Sequence, residues 1–362
     1  MAATPSDLLD TPVLTVSGRP VSIQGLLEGM RAQGASDVFL QTSAPVRLKR
    51  GGQVITTDSG PVSREVMAHA VSCFLSPEEA TAFRAKGVAD VVYVHTGHRY
   101  RVHFAYGHTG PYAAIRSIGV DMVPLEKLGL HHRVVQRLQG LSTGMVIVCG
   151  PTDAGKTVTC TSVLDWINAH QARALLTLED PIEYVIPWKH SLVIQREVGL
   201  HVPTFAEGIR SALRENLDVI FVGELRDNET IEQALRAGET GHLVITTLHS
   251  DDALSAVTRI VGSFRPADQP RIRQSLAATL TGVLFQRLLP RVPDGRVPCV
   301  ETLWANTAVR AILRSGDLGK LASYVGRSTG GFGYRDSLAE LQRVGVISSE
   351  TLHQELHRLQ NA

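Results

Sequence analysis

The sequence contains little that would place the protein in a membrane or on nucleic acid. Its 36 lysines and arginines nearly balance 35 aspartates and glutamates, which gives a net charge of +1 at pH 7. A dedicated nucleic-acid-binding protein normally carries a basic excess, so the balance argues against that class. No apolar run is long enough to span a bilayer, and the first twenty residues lack the basic and apolar regions of a signal peptide. We therefore predict no nucleic-acid partner and no transmembrane segment.

Cysteine is also scarce, and the four cysteines are scattered without a C-x-x-C pair. This spacing excludes a zinc site built on thiolates and indicates a reducing compartment. The rest of the composition, 43% hydrophobic and 20% charged, is that of an ordinary soluble protein. A chain of 362 residues can form two domains with sizeable cores. We therefore expect a cytoplasmic protein with two or more domains.

One stretch organises the chain, and it runs from Gly150 to Thr157. It follows the apolar run 145–149, which predicts a buried parallel strand, and it precedes residues 158–168, which favour a helix. This context distinguishes a phosphate-binding loop from a chance glycine-rich turn. The predicted nucleotide contacts are Gly150, Pro151, Thr152, Asp153, Ala154, Gly155, Lys156 and Thr157.

The residue types in this loop suit ATP and Mg²⁺. Gly150 and Gly155 let the backbone turn tightly, so that N–H groups converge on the β-phosphate. Lys156 supplies positive charge to the β and γ oxygens, and the Thr157 hydroxyl completes the shell of a Mg²⁺ ion. Asp153 stands where such loops usually carry a third glycine. Its charge would weaken nucleotide binding if directed inward and have no effect if directed outward, and the sequence leaves both open.

The N-terminal part predicts a flexible arm over residues 1–20, a small α+β domain over 21–118 and a linker over 119–128. On the predicted strand 100–106, alternation places Arg101 on the face opposite Tyr100 and Val102. Arg116 lies on the next predicted strand, so the two arginines could project from one surface. The alternative is that each is an ordinary surface arginine in an ion pair.

From Leu130 onward the pattern changes to strands alternating with helices, which indicates a parallel α/β sheet. We assign residues 129–265 to this core and 266–362 to a C-terminal helical region. One of the helices in the core is expected to begin at a cap on Asn228 and to run to Gly238.

Polar residues follow several of the predicted strands, and ligands bind beyond the carboxyl ends of strands in such sheets. This rule places Glu179, Asp180, Glu183, Glu224 and His249 at one edge with the phosphate loop. Glu224 suits the acid that acts on the Mg²⁺ shell, and either Glu183 or Glu179 suits the base that orients water. The alternative for any single carboxylate at a strand end is a helix cap or an ion pair.

Two histidines, His242 and His249, flank the predicted strand 243–247. As neutral imidazoles they could contact the γ-phosphate and report its loss. A site for a softer metal is the poorer interpretation, because the oxygen ligands nearby suit Mg²⁺. We therefore favour phosphate sensing over a structural role or a metal site.

Together these motifs resemble the secretion-superfamily hexameric ATPases, most closely the PilT-like retraction ATPases of type IV pili. Besides the phosphate loop, the resemblance is carried by an Asp box at 178–184, a Walker B segment at 220–227 and a His box at 237–249. It extends from about Leu26 to the C-terminus and implies a PAS-like N-terminal domain, a RecA-like ATPase core and a C-terminal helical region.

The resemblance also implies roles for individual residues. Glu183 would be the general base, and Glu224 would be the Walker B acid, sharing the Mg²⁺ ion with Thr157. His242 and His249 would be the His-box pair, and Lys156 the phosphate-loop lysine. Arg101 and Arg116 match N-domain arginines that reach the nucleotide.

Further implications concern partners. The resemblance implies a homo-hexamer that acts on the inner-membrane platform protein of a pilus machine, with a paralogous retraction ATPase as another candidate partner. The alternatives are a PilU-like accessory protein that binds nucleotide mainly to assemble, which Asp153 supports, and a conjugation or type IVB secretion ATPase. A RecA-type DNA translocase is disfavoured by the balanced charge. A C-terminal motif associated with retraction resembles residues 308–315, although Ala311 and Ser315 depart from it.

Overall fold

The computed structural model describes residues 10–118, 122–327 and 330–360. The chain divides into two compact units, Met1–Val120 and Asp121–Ala362. Of the linker expected at 119–128, the first three residues lie outside the described ones, and a 3-10 helix covers Leu125–Lys127. A search of the described helices found none with the length and apolar character of a membrane span.

The first unit is an antiparallel sheet with helices that share its core. Its described elements are β1 (Pro12–Val16), β2 (Arg19–Ser22), α1 (Ile23–Ala32), β3 (Asp37–Gln41), β4 (Arg47–Arg50), β5 (Gln53–Thr56), α2 (Arg64–Phe74), α3 (Pro77–Lys86), β6 (Val88–His95), β7 (His98–Gly107) and β8 (Gly110–Ile118). Six strands form the sheet in the order β5-β4-β3-β8-β7-β6, and β1 pairs with β2. Tyr100, Val102 and Phe104 are buried in the core and Arg101 is exposed, as the alternation predicts.

Residues 12–22 correct the expectation of a flexible arm over residues 1–20. Residues 1–9 lie outside the described part, but β1 and β2 form a hairpin. The two residues between the strands, Ser17 (φ 52°) and Gly18 (φ 72°), both have positive φ, which a tight type I′ turn requires. Leu14 of β1 is buried in the core of the unit, so burial of this side chain stabilises the hairpin.

The second unit is a mostly parallel sheet with helices on both faces. Its strands are β9 (Gly144–Cys149), β10 (Ala174–Glu179), β11 (Leu192–Glu197), β12 (Val219–Val222), β13 (Leu243–Leu248), β14 (Leu280–Pro290) and β15 (Arg296–Trp304). Its helices are α4 (His132–Gln139), α5 (Lys156–His170), α6 (Phe205–Ala212), α7 (Asn228–Glu239), α8 (Ala253–Gly262), α9 (Gln269–Thr279), α10 (Thr307–Ser315), α11 (Tyr334–Arg343) and α12 (Ser349–Gln360), with a 3-10 helix at Leu318–Tyr324.

The strand order β11-β10-β12-β13-β9-β14-β15 places the phosphate-loop strand β9 between β13 and β14. All neighbours are parallel except the pair β14–β15. Apolar residues of α4 and α5 pack on one face, and those of α6–α9 pack on the other. The carboxyl ends of β9, β10, β12 and β13 therefore meet at one edge, as the α/β pattern predicts.

The boundary expected at residue 265 is wrong, because the sheet continues beyond it. β14 and β15 lie within the region 266–362, for which we predicted helices. The stretch Leu280–Leu289 is mostly apolar but is interrupted by polar residues such as Gln286 and Arg287, so it shows neither the alternation of a half-buried strand nor an unbroken apolar run. The strand β11 was also missed, because three apolar residues are followed by three polar ones, so its sequence does not alternate.

Helix starts agree in part with the expected caps. The helix predicted at 158–168 is α5, which begins earlier, at Lys156. Asp227, rather than Asn228, caps α7, because its carboxylate accepts hydrogen bonds from the Thr230 backbone N–H and hydroxyl. The Asn228 amide instead donates to the Ser263 carbonyl.

Candidate functional site

The loop from Gly150 to Thr157 connects the end of β9 to the start of α5, as predicted. Three of its residues have positive φ, namely Gly150 (149°), Asp153 (62°) and Gly155 (80°). Glycine tolerates these angles without a steric penalty, and aspartate tolerates the left-handed region better than most residues. The loop therefore forms with Asp153 in place of glycine, and the Asp153 side chain is exposed.

Lys156 lies over the loop rather than in solvent. The residue is 9% exposed, and its Nζ donates hydrogen bonds to the Gly150 and Pro151 carbonyls at 2.9 and 2.8 Å. Burial lowers the pKa of Lys156, and the Glu224 carboxylate opposes this effect. An ammonium group held here would place its charge where the phosphates of a nucleotide bound to the loop lie.

The lysine is linked to the end of β12 through a histidine. His249 Nδ1 lies 3.4 Å from Lys156 Nζ, and His249 Nε2 lies 3.5 Å from Glu224 Oε1. Partial burial and the Lys156 charge lower the pKa of His249, which favours the neutral imidazole. Because the ammonium only donates, Nδ1 faces it as an acceptor, and the ring proton lies on Nε2 toward Glu224. Three residues predicted to share one edge are thus neighbours.

Arg226 joins this group to the Asp box, and we did not predict it. Its Nε donates to Glu224 Oε2 at 2.9 Å, and its Nη1 donates to Asp180 Oδ2 at 2.7 Å. The guanidinium therefore connects the loop after β12 with the loop after β10. The only sign of this role in the sequence is that Arg226 stands two residues after the glutamate at the end of a strand.

The two candidate bases, Glu179 and Glu183, differ in accessibility. Glu179 is 3% exposed and accepts hydrogen bonds from the Thr177 hydroxyl at 2.6 Å, the Gln195 amide at 3.1 Å and the Glu183 N–H at 3.4 Å. Both oxygens of Glu179 are therefore engaged, and Glu179 would have to exchange a hydrogen-bond partner before it could contact an attacking water. Glu183 is only half-buried, so it is the better placed of the two.

Burial of Glu179 predicts a pH dependence of stability. Burial raises the pKa of Glu179 from 4.5 to about 7, and hydrogen bonds from Thr177 and Gln195 oppose the rise. The folded protein then binds the proton more tightly than the unfolded chain, so stability decreases as pH rises from about 4.5 to about 7. Relative to Glu179→Gln, the free energy of unfolding should fall by roughly 3 kcal/mol over that range.

Urea unfolding at several pH values between 4.5 and 8 measures this difference. The exposed Glu207 offers a matched control, and Glu207→Gln should leave the profile of the parent protein unchanged. Parallel profiles for Glu179→Gln and the parent protein would contradict the raised pKa.

His242 does not join the site, which corrects the prediction for a single chain. It precedes β13, whereas His249 follows it, so a six-residue strand separates them by about 20 Å. His242 lies at the amino edge of the sheet, where its Nδ1 is 3.1 Å from the Ala237 carbonyl. Residues just before and just after a strand necessarily occupy opposite edges, and the motif conceals this separation.

Arg101 and Arg116 lie side by side in the first unit. They are directly paired across β7 and β8, so they project from the same face, as predicted. Arg116 Nε donates to Asp37 Oδ1 at 2.8 Å, and Arg101 Nε lies 3.6 Å from Asp90 Oδ1. Their contact with a nucleotide stays a prediction.

The oxygen donors at the second unit's site fit Mg²⁺ bound together with a nucleotide. Among the described residues, no group of three or more histidines, cysteines and acids could form a metal cage. Mg²⁺ usually takes one or two protein oxygens and completes its shell with phosphates and water. Thr157, in the first turn of α5, and Glu224 would supply such oxygens. Both are hard oxygen donors of the kind that Mg²⁺ prefers.

Comparison with known proteins shows a similarity that extends well beyond the phosphate loop. Residues 100–296 match the family described as Type II/IV secretion system protein. The chain is 34% identical to the type IV pilus retraction ATPase PilT of Pseudomonas aeruginosa over 312 residues, which are 86% of this chain and 90% of the relative. The solved structure of the pilus retraction motor PilT with bound ADP matches with a TM-score of 0.82 and 36% identity, over 92% of this chain and 96% of that one. The Legionella pneumophila ATPase DotB matches with a TM-score of 0.81 and 27% identity, over 92% and 95%.

Proposed function

Because the chain belongs to the type II/IV secretion system protein family, as a PilT-like ATPase, we propose that it is a hexameric motor for type IV pilus retraction. In this proposal, ATP hydrolysis drives movement of the inner-membrane platform protein, and pilin subunits are withdrawn from the pilus. Twitching motility would be the cellular result.

The observation that carries the proposal is the meeting of Lys156, His249 and Glu224 at the carboxyl edge of the sheet, with Asp180 tied to them through Arg226. Phosphoryl transfer to water requires a charge cradle, Mg²⁺ and a group that orients the water. A surface built only for protein contacts would not require a buried lysine over a glycine loop. The arrangement therefore supports hydrolysis of a nucleoside triphosphate.

Each residue has a distinct role in this proposal. Lys156 neutralises the β and γ oxygens, and Glu224 and Thr157 would hold the ion that supplies further positive charge to the phosphates. Glu183 accepts a proton from the attacking water, and its loop is held near Glu224 by the contacts of Arg226. Neutral His249 would donate a hydrogen bond from its Nε2–H to the γ-phosphate when ATP is bound and would lose this partner after hydrolysis.

We further propose that Arg101 and Arg116 reach the nucleotide in the assembled ring. An arginine that arrives at the γ-phosphate stabilises the charge that develops in the transition state. The Asp37 carboxylate is 7% exposed and holds Arg116 in a defined direction, which reduces the cost of ordering the guanidinium.

The proposed location is the cytoplasmic face of the inner membrane, where the motor would bind peripherally through the platform protein. A paralogous retraction ATPase is a further proposed partner, since two related rings could act on one platform.

A second candidate is an accessory protein that binds nucleotide chiefly to assemble, and Asp153 favours it. Although Asp153 is exposed, its charge acts on Lys156 within the loop, so it would also repel the phosphates of a bound nucleotide. A type IVB secretion ATPase is a third candidate, which the similarity to DotB supports.

Replacement of Asp153 separates motor from accessory protein. Removing one charge near the phosphates should lower the repulsion by roughly 1 kcal/mol, so Asp153→Gly should lower the KM for ATP about fivefold. Steady-state phosphate release measures the change. Measurable turnover by the parent protein supports the motor. No turnover by the parent protein, with rescue by glycine, would leave the accessory function instead.

Asp153→Asn is the matched control, because asparagine also tolerates the left-handed region but carries no charge. Equal gains for Asn and Gly would identify the charge as the cause. A gain with glycine alone would assign the effect to the backbone at φ 62°.

Deletion of the gene tests the cellular role. We expect piliated cells that have lost twitching, and restoration by the parent gene. Normal twitching together with lost protein secretion or conjugation would contradict the pilus function without affecting the assignment as an ATPase.

A further inference from the structure

Gln286 is a buried amide on β14, directly behind the phosphate loop. The residue is 2% exposed, and the strand register pairs its neighbour Phe285 with Cys149, so Gln286 lies beside Gly150. Burial of an amide is unfavourable unless both its halves find hydrogen-bond partners. The partners of this side chain therefore indicate why a glutamine lies here.

Both halves of the amide are satisfied by residues of the loop and its helix. The Gln286 Nε2 donates to the Ala154 carbonyl at 2.6 Å, and the Oε1 accepts from the Thr159 hydroxyl at 2.8 Å. A backbone carbonyl only accepts, so the nitrogen must face Ala154 and the amide has one orientation.

The loop glycines also lie against the same residue. A Cβ added to Gly150 would be 2.2 Å from the Gln286 backbone carbonyl oxygen, and one added to Gly155 would be 3.1 Å from the Gln286 Nε2. Two glycines of the loop thus permit close approach to Gln286. The phosphate loop rests on this residue through its backbone and its side chain.

We propose that Gln286 is a positioning residue for nucleotide binding, which sets the direction of the peptide group between Ala154 and Gly155. This inference rests on the proposed nucleotide site. In a planar trans peptide the carbonyl and the following N–H point in opposite directions. With the Ala154 oxygen held by Gln286, the Gly155 N–H points away from β14. This N–H is one of the backbone N–H groups of the loop that are proposed to donate hydrogen bonds to the phosphates.

The test compares nucleotide affinity with stability. Gln286→Leu keeps the approximate volume and removes both hydrogen bonds, so we expect the Kd for Mg-ADP to rise about tenfold or more. Thr159→Val removes only the bond to Oε1, leaves the Ala154 contact in place and should raise the Kd less, about twofold to threefold. Fluorescence titration with a labelled ADP gives the Kd, and thermal unfolding of the same samples gives the Tm.

Thr302→Val is the matched control. Thr302 is 1% exposed on the neighbouring strand β15 and accepts a hydrogen bond from the Phe332 N–H, far from the loop in sequence. We expect this variant to lower the Tm without changing the Kd. If Gln286→Leu behaves in the same way, the positioning role is overturned. If Gln286→Leu does not fold, Gln286→Glu decides: a raised Kd at pH 8 supports the role, and a Kd equal to that of the parent protein overturns it. Failure of the parent protein to bind ADP would instead overturn the nucleotide site itself.

Gln286→Glu provides a rescue experiment. An ionised glutamate cannot donate to the Ala154 carbonyl, whereas a protonated one has the donor and acceptor of the amide. The Kd ratio between this variant and the parent protein should therefore fall between pH 8 and pH 6. A ratio independent of pH and close to one would contradict the role of the donated hydrogen bond.

Discussion

Glu183→Gln is expected to lower the kcat for ATP hydrolysis about 10³-fold and to leave the Kd for ADP within about twofold. Glutamine has the shape of glutamate but cannot accept the proton of the attacking water. The backbone of the loop should persist, because the Glu183 N–H donates to Glu179 and Arg226 holds Asp180. Steady-state phosphate release gives kcat, and an ADP titration gives the Kd.

Glu207→Gln serves as the control for this experiment. Glu207 is exposed in the first turn of α6, outside the site, and its replacement should leave kcat unchanged. A reduction of kcat in Glu183→Gln below about tenfold would contradict its assignment as the base. In that case Glu179, the other predicted base, or a further group would have to orient the water.

Lys156→Met is expected to raise the Kd for ADP at least 10²-fold and to abolish steady-state turnover. The ammonium has three N–H donors, and in the structure two of them go to the Gly150 and Pro151 carbonyls while the third lies toward His249. Charge-assisted hydrogen bonds to phosphate are about twice as strong as neutral ones. Methionine keeps the apolar stem in its buried position, so the fold should survive.

Lys189→Met is the matched control, because Lys189 forms an ion pair with Asp165 away from the loop. It should bind ADP like the parent protein. Retention of ADP affinity in Lys156→Met, in a protein that unfolds at the parent Tm, would show that the lysine does not contact the phosphates.

The central site is predictable because parallel strands present their carboxyl ends at one edge. Knowledge of strand direction therefore suffices to bring Lys156, Glu224 and His249 together across the sequence. The failures have a common cause. His242 belongs to the same motif as His249, but the strand between them carries it to the opposite edge. Arg226 acts through Asp180, 46 positions away in sequence, and only the folded loops bring them into contact.

The strands of the second unit also differ in how well the sequence predicts them. Apolar runs of strand length predict the interior strands of the core, and the structure places β9, β10, β12 and β13 near their expected positions. β14 was missed because Gln286 and Arg287 interrupt its apolar residues, so its sequence has no clear strand periodicity. The sequence also could not distinguish Glu179 from Glu183. The two residues are four positions apart, and their different burial is known only from the structure.

The place of β14 beside β9 bears on how the protein can be divided. A fragment ending near residue 265 would lose two strands of the sheet and bare the hydrogen-bonding edge of β9, a ready template for aggregation. It would also lose Gln286, the residue of β14 against which the glycine loop packs. Exchange of C-terminal regions between related ATPases, by recombination or by design, would thus also change the residues that support the phosphate loop.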